Sequence, residues 1–343
     1  MTNKNDAMLN QPEENRSSLW ERIRQSDILV LLVALLAMCA VTYFIKPVFL
    51  SERNIMNTLR QVSLTAICGF GLTMIILVGE IDLSVGSQQA VAGIISITVL
   101  NATGSITLAI LAALAAGIIV GGLNGLLVTK FKINSMIVTL GTMAIWRGAS
   151  MVVTKAVSIQ SDVPSFLDLA TGFVGPIPNA VIIAVVLFAL IYYVLSHTTF
   201  GRYIYAIGGN KEASRFAGLP VTRIKILVYI IGSVLTMLSG VLLASRMSSA
   251  QPTAGTGFEM IVIASVILGG VSLTGGIGTI TGALIGMLIL GVLQNALTLM
   301  DVSSFWQDIA RGIVIIMAVG IDSLRKDSVT KRLVRAQQQK EGL

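Results

Sequence analysis

The apolar stretch at residues 105–128 reads SITLAILAALAAGIIVGGLNGLLV and contains no charged side chain. A helix needs about 20 mostly apolar residues to cross the hydrocarbon core of a bilayer. The stretch meets that requirement, and its small residues favour close contact with neighbouring helices. It therefore predicts a transmembrane helix.

Similar apolar runs recur along the chain and predict an all-α polytopic membrane protein with about ten transmembrane helices. The predicted spans lie near residues 28–45, 58–78, 84–101, 105–128, 136–154, 179–197, 224–245, 259–272, 279–299 and 306–322. A count of nine or eleven is the alternative, because the eighth run is short and the ends near Gly79 and Gly270 are poorly marked. The composition agrees: 12% of residues are charged, against about 25% in soluble domains.

The distribution of basic residues predicts the orientation of the chain. The formal net charge is +7, and Lys and Arg concentrate in the two tails and in the loops after the fourth and sixth spans. This pattern is typical of a membrane protein with both termini in the cytoplasm, and it argues against nucleic-acid binding. We divide the chain into a cytoplasmic tail at 1–26, a transmembrane domain at 27–322 and a basic cytoplasmic tail at 323–343.

The sequence lacks the motifs of a catalytic or metal-binding protein. There is no P-loop, and the glycine-rich run at 269–278 lacks the lysine such a loop requires, so we interpret it as a tight reversal between two spans. The single histidine, His197, and the two cysteines, Cys39 and Cys68, favour no metal site. No nucleophile–base pair is evident, so any ATP hydrolysis must occur in another subunit.

The segment Gly79–Ser87 places two carboxylates between apolar runs. Charged groups at membrane depth usually face water or a partner, and the glycines indicate a broken helix or a tight turn. Asp82 and Ser84 are therefore candidates for a transport pathway or a gate. The alternative is that one of them caps the start of the third span.

The loop Gly201–Pro220 predicts a short helix on the cytoplasmic side. Asn210 can begin this helix, residues 211–217 can form about two turns, and Gly218 with Pro220 can end it. An exposed helix at this position could dock a partner and move spans six and seven together. A solvated linker is the alternative.

Further polar residues lie within or beside the spans. The segment Ser248–Glu259 is predicted on the outer side, as a partner contact or an ordinary loop, and Glu259 is a pathway candidate at its end. Asn124, Gln294 and Asn295 lie deep in spans. Each could hydrogen-bond a transported solute or tie two helices together.

Asp308 and Arg311 share a helix face in the tenth span and predict a structural ion pair inside the bundle. Replacing Asp308 alone is then expected to harm folding more than replacing both residues, because a lone buried charge is costly. Glycines at four-residue spacing also predict close helix contacts: Gly117, Gly121 and Gly125, and Gly278, Gly282 and Gly286. In addition, the pattern at 79–86 partly repeats at 269–276.

Together these motifs strongly resemble the permease subunits of ribose-type monosaccharide ABC importers, the inner-membrane components of binding-protein-dependent transport. The likeness covers roughly residues 27–322. It is carried by Gly79–Ser87, Gly201–Gly218, Ser248–Glu259 and Leu268–Gly286. Glu80 departs from the pattern, since a small residue is more usual there.

The resemblance implies the ABC importer permease fold in the bacterial inner membrane. A cytoplasmic ABC ATPase that uses ATP and Mg, a periplasmic sugar-binding protein and a second permease, identical or related, are the implied partners. No cofactor is implied for this chain. Ribose is the first expectation for the substrate, with another aldose or a furanose signalling molecule as alternatives. The segment that resembles the ATPase-coupling helix includes Gly209, Asn210, Glu212, Ala213, Ser214, Arg215 and Gly218.

Two other classes of function are the alternatives. A self-contained secondary transporter would need ion carriers, for which Asp82, Glu259 and Asp308 are candidates. Dependence of transport on ATP would separate the two classes. A membrane-embedded enzyme would need a catalytic constellation, which the sequence does not show.

Overall fold

A computed structural model describes residues 27–314, 316–317 and 320. Within them the helices are α1 (Asp27–Ile45), α2 (Glu52–Leu77), α3 (Val85–Thr103), α4 (Ile106–Thr129), α5 (Ser135–Thr154), α6 (Asp168–Thr171), α7 (Asn179–His197), α8 (Thr199–Gly209), α9 (Lys211–Phe216), α10 (Val221–Met247), α11 (Phe258–Leu268) and α12 (Ile280–Leu299). Residues 304–314 are also helical. The predicted tails at 1–26 and 323–343 lie outside the described residues.

Eight of these helices, α1 to α5, α7, α10 and α12, are long and apolar enough to cross a membrane. The prediction of an all-α polytopic membrane protein is confirmed. The tenth predicted span begins as a helix at residue 304, and its C-terminal part lies partly outside the described residues. We call the end of the bundle that carries α8 and α9 the inner face, following the predicted orientation, and the opposite end the outer face.

The eighth predicted span differs from the prediction. A full crossing was expected near 259–272, but α11 has 11 residues and therefore a length of about 16 Å, roughly half of the hydrocarbon core. It ends early because Gly269 and Gly270 close it, with Gly270 at φ 85°. The residues from there to Thr279 form the predicted tight reversal.

Small residues bring α4 and α10 into close contact, as the glycine spacing predicts. A side-chain carbon on Gly121 would overlap the backbone of Tyr229 and Ile230, and one on Gly125 would crowd Ile226. Gly286 of α12 packs in the same way against the backbone of α11. Helices at this separation gain dispersion contacts that larger residues would prevent.

The outer face is closed by short elements. Strand β1 (Ile159–Gln160) pairs antiparallel with β4 (Ser249–Ala250), and β2 (Phe173–Val174) pairs with β3 (Ile177–Pro178). The Ser245 hydroxyl at the end of α10 donates to the Phe166 carbonyl at 2.6 Å. Within the described residues α2 is central, because 78% of its apolar window is buried, whereas 6% of the window of α1 is buried.

Candidate functional site

Helix α2 stops in a hydrogen-bonded glycine turn near the inner face. Gly79 has φ 80°, and the amides of Gly79 and Glu80 donate to Ile76 and Ile75 at 2.9 and 3.0 Å. This is a Schellman arrangement, which satisfies the free carbonyls at a helix end. The chain then runs without helix to Ser84. The predicted break between the second and third spans is therefore present.

A buried hydrogen-bond cluster follows this break. Asp82 Oδ1 accepts from the Ser84 amide at 2.8 Å and from the Ser84 hydroxyl at 2.5 Å, and Gln88 Nε2 donates to Asp82 Oδ2 at 3.3 Å. Asn124 Nδ2 donates to the Ser84 hydroxyl at 3.2 Å. All four side chains are fully buried. Asp82 binds the amide of Ser84, the residue that precedes α3, but the Ser84 side chain makes no cap hydrogen bond to that helix. Both the capping and the pathway roles of these residues stay predictions.

Glu80 forms an ion pair that the sequence did not reveal. Its carboxylate accepts from Lys225 Nζ, and the two side chains are 12% and 5% exposed. Lys225 lies one turn into α10. The unusual acid at position 80 was the available signal, because a charge between apolar runs requires a partner. The pair fixes the α2–α3 break to α10.

Helix α11 ends in the same way as α2. The amides of Gly270 and Val271 donate to Ile267 and Val266 at 2.8 and 3.2 Å. Gly79 and Gly270 have equivalent backbone conformations, with φ 80° and 85°. The sequence repeat instead aligns Gly79 with Gly269, which is one residue earlier in the chain. The two breaks also touch, because the Gly276 amide donates to the Leu77 carbonyl at 2.9 Å.

Helix α8 joins both breaks to the inner-face helix α9. Its residue Gly208 packs so closely on the Leu77 carbonyl and the Gly276 amide that a side-chain carbon would overlap both. The Tyr205 hydroxyl donates to the Gly278 carbonyl at 3.1 Å. Burial raises the pKa of the Tyr205 phenol above its ordinary value. Helix α8 therefore contacts both breaks directly.

The predicted helix on the inner face is present as α9. The Ala213 amide donates to Asn210 Oδ1 at 2.9 Å, which caps the start of the helix. At its end the Leu219 amide donates to Ser214 at 3.1 Å, and Gly218 has φ 80°. Ser214 is buried, whereas the Phe216 side chain is 89% exposed. The other residues assigned to coupling are exposed: Gly209, Asn210, Glu212, Ala213, Arg215 and Gly218.

The outer segment before α11 folds back into the bundle. Arg147 Nη1 donates to the carbonyls of Pro252 and Ala254 at 2.6 and 2.7 Å. Gly255 and the Glu259 carboxylate then lie so close to Gly86 that a side-chain carbon there would overlap both. Glu259 therefore sits at the first turn of α3, where a helix N-terminus favours negative charge. Arg147 lies within the fifth predicted span, and a charged residue at that depth usually requires a partner. This was the signal in the sequence for its role in holding the outer segment.

The two polar candidates of α12 have different surroundings. Asn295 exchanges two amide hydrogen bonds with Asn54, at 2.8 and 2.9 Å. This contact ties α12 to α2 and fits the helix-tying alternative. Gln294 instead lines a cavity of about 340 Å³.

Asp308 and Arg311 are bonded but lie outside the core of the chain. Arg311 Nη1 donates to Asp308 Oδ1 at 2.7 Å, and the Asp308 side chain is 67% exposed. The predicted pair forms, but the Asp308 side chain points outward in the described chain, and burial of the pair inside the assembled bundle stays a prediction. An accessible ion pair is worth little, typically about 0–1 kcal/mol.

We therefore expect Asp308→Asn to shift the melting temperature of the solubilised chain no more than Asp308→Asn combined with Arg311→Gln. Both shifts should be small, because neither variant leaves a charge in a closed apolar interior. Thermal unfolding in one detergent measures them. A single variant clearly less stable than the double variant would contradict the exposed position.

Comparison with known proteins places the chain in a family. Residues 54–319 match the family model described as branched-chain amino acid transport system / permease component. The chain is 43% identical over 295 residues to the ribose import permease protein RbsC of Haemophilus influenzae, covering 85% of this chain and 91% of that protein. It is 38% identical over 316 residues to the L-arabinose ABC transporter permease protein AraH of Azospirillum brasilense, covering 92% of each.

RbsC of Escherichia coli K12 is 42% identical over 299 residues, which cover 86% of this chain and 93% of that protein. No solved structure matches. These matches extend across nearly all the predicted spans. They confirm the resemblance to ribose-type ABC permeases and the prediction of a transport subunit rather than an enzyme. The chain therefore belongs to the family of branched-chain amino acid transport system permease components.

Proposed function

We propose that this chain is the pore-forming subunit of an ATP-driven importer that moves a monosaccharide, ribose in the first instance, across the bacterial inner membrane by alternating access. One observation carries the mechanism: α8 connects the exposed helix α9 to the ends of two broken helices. The names of the relatives support a sugar as the substrate. The L-arabinose permease among them makes another aldose the second candidate, and a furanose signalling molecule is the third.

The proposed coupling begins at α9. Its exposed Phe216 side chain suits a hydrophobic cleft in an ABC ATPase subunit, which would bind and use ATP and Mg. Because Ile204 and Ile207 of α8 are buried, a push on α9 moves α8 as part of the bundle. Through Gly208 that movement reaches the α2 and α11 breaks together.

The other proposed partners follow the family resemblance. A periplasmic binding protein delivers the sugar to the outer face. A second copy of the chain, or a related permease, completes the pathway. Native mass spectrometry of the purified complex tests the pairing, because two identical chains and two different chains give different masses.

The first test is a pull-down of the detergent-solubilised protein from its native membrane. We expect an ABC ATPase subunit to co-purify, and uptake of labelled ribose into proteoliposomes holding that complex and the binding protein to require ATP. Uptake by the permease alone, driven by an ion gradient, would overturn the proposal in favour of a secondary transporter.

Charge reversal on α9 should uncouple ATP hydrolysis from uptake. We expect Glu212→Arg, or a bulky residue in place of Gly218, to lower uptake per ATP hydrolysed about tenfold or more, because coupling energies of this kind span roughly 5- to 150-fold. Lys130→Glu, a reversal on another inner loop, is the matched control. Normal uptake by both α9 variants would exclude the coupling role.

A further inference from the structure

The cavity beside Gln294 has the size of a small solute. Its volume is about 340 Å³, the space of about ten water molecules. A pentose has ten non-hydrogen atoms, and a disaccharide has about twice as many. Residues from the outer halves of α2 and α12, the start of α3, the end of α10, the segment before α11 and the start of α11 form its wall. The lining residues are Gln61, Leu64, Thr65, Gln89, Leu243, Arg246, Gly255, Thr256, Phe258, Ile261 and Gln294.

Polar groups on this wall are free to bind a ligand. Among the described residues, no side-chain hydrogen bond or ion pair engages the amides of Gln61 and Gln294 or the guanidinium of Arg246, and all three side chains are only partly exposed. Gln89, in contrast, is held in place, because its Nε2 donates to the Ser239 hydroxyl at 2.8 Å. Partly buried donors and acceptors without partners favour a polar ligand that satisfies them.

The charge of the cavity favours a neutral ligand over an anion. Arg246 is the one cationic residue in the lining. Its neighbour Arg60 is engaged elsewhere: it donates to Asn57 Oδ1 and to the Thr171 carbonyl, both at 3.1 Å, and it lies 4.5 Å from the centre of the Phe173 ring. A phosphate site usually gathers several cationic or amide N–H donors.

Much of the rest of the wall is apolar. Leu64, Leu243, Phe258 and Ile261 contribute aliphatic and aromatic surface. A monosaccharide has the matching chemistry, because its hydroxyl groups exchange hydrogen bonds with amides and guanidinium groups while its C–H faces pack on apolar side chains. Ligand sites commonly combine mostly apolar walls with a few polar groups that orient the ligand.

We propose that this cavity is a transit site for one monosaccharide, formed within a single chain on the outer side of the contact between Gly86 and Gly255. This inference rests on the proposed function and adds a location and a set of contacts. Gln61, Gln294 and Arg246 bind the hydroxyl groups, and Phe258 covers a face of the sugar ring. The permease then contributes to sugar selection after the binding protein releases its load.

Protection from a thiol reagent tests the site directly. In a Cys39→Ala background, Thr256→Cys places a reactive thiol on the cavity wall, while Cys68 is fully buried. We expect D-ribose or L-arabinose at tens of millimolar to slow maleimide labelling about three- to tenfold, as expected for a few net hydrogen bonds. Thr103→Cys, an exposed position away from the cavity, is the matched control. No protection, or equal protection at both positions, would overturn the site.

A second measurement separates this site from the proposed function. Gln61→Leu and Arg246→Met should remove the protection at Thr256→Cys and raise the sugar concentration for half-maximal uptake. Protection without ATP-driven uptake would keep the site and reject the importer. ATP-driven uptake with unchanged half-saturation in both variants would keep the importer and reject the site.

Discussion

Gly208→Ala should lower ATP-driven uptake about tenfold or more while leaving ATP hydrolysis in place. The added Cβ would overlap the Leu77 carbonyl and the Gly276 amide, and overpacking against backbone forces the helices apart. Because these groups belong to the α2 and α11 breaks, the substitution disrupts the contacts through which we propose that α8 couples ATP hydrolysis to transport. Uptake and hydrolysis measured in the same proteoliposomes report the effect as their ratio.

Gly122→Ala is the matched control for this prediction, because a Cβ at Gly122 meets open space. Tyr205→Phe provides a milder test that keeps the ring and removes the hydrogen bond to Gly278. It should lower the ratio of uptake to hydrolysis by a few-fold even if the Gly208 variant inserts poorly. Wild-type ratios for both Gly208→Ala and Tyr205→Phe would show that coupling does not pass through α8.

Glu80→Leu should destabilise the protein strongly, and so should Lys225→Met. Each variant leaves one charge without its partner in a setting where the side chains are 12% and 5% exposed. Breaking a buried pair in this way typically costs about 3–5 kcal/mol, whereas replacing both partners with apolar residues is often close to neutral. The combination Glu80→Leu with Lys225→Met should therefore recover most of the lost stability.

Thermal unfolding of the four proteins in one detergent measures this coupling as a double-mutant cycle. Asp308 and Arg311 offer an internal control, since they form an ion pair whose acid is exposed. The cycle for Glu80 and Lys225 should show a large interaction and the control cycle a small one. Additive losses at Glu80 and Lys225 would mean that the buried pair does not form in solution.

The fold class and the placement of most helices could be predicted from the sequence because they depend on local properties. A bilayer requires about 20 apolar residues per crossing, so the spans are marked by composition alone. The helix α9 was equally predictable, since Asn210 at its start and Gly218 at its end act within one turn. The close approach of α4 to α10 followed from glycine spacing on one face.

The partners of individual side chains could not be predicted in this way. Glu80 and Lys225 are 145 positions apart in the chain, and Asn54 and Asn295 are 241 apart. Hydrophobic periodicity shows which residues of a helix face away from the lipid, but it does not show which other helix those residues contact. The outward position of Asp308 has the same origin, because spacing places two residues on one face without saying where that face points.

Composition, spacing and caps thus establish a bundle of membrane-crossing helices with a short helix on its inner face, since these features act over a few residues. The packing of helices distant in sequence determines the Glu80–Lys225 pair, the contact of Gly208 with both breaks and the cavity beside Gln294. Such contacts depend on the rotation of each helix about its own axis and on the angle at which helices cross. The pattern of apolar residues that face the lipid leaves both largely undetermined.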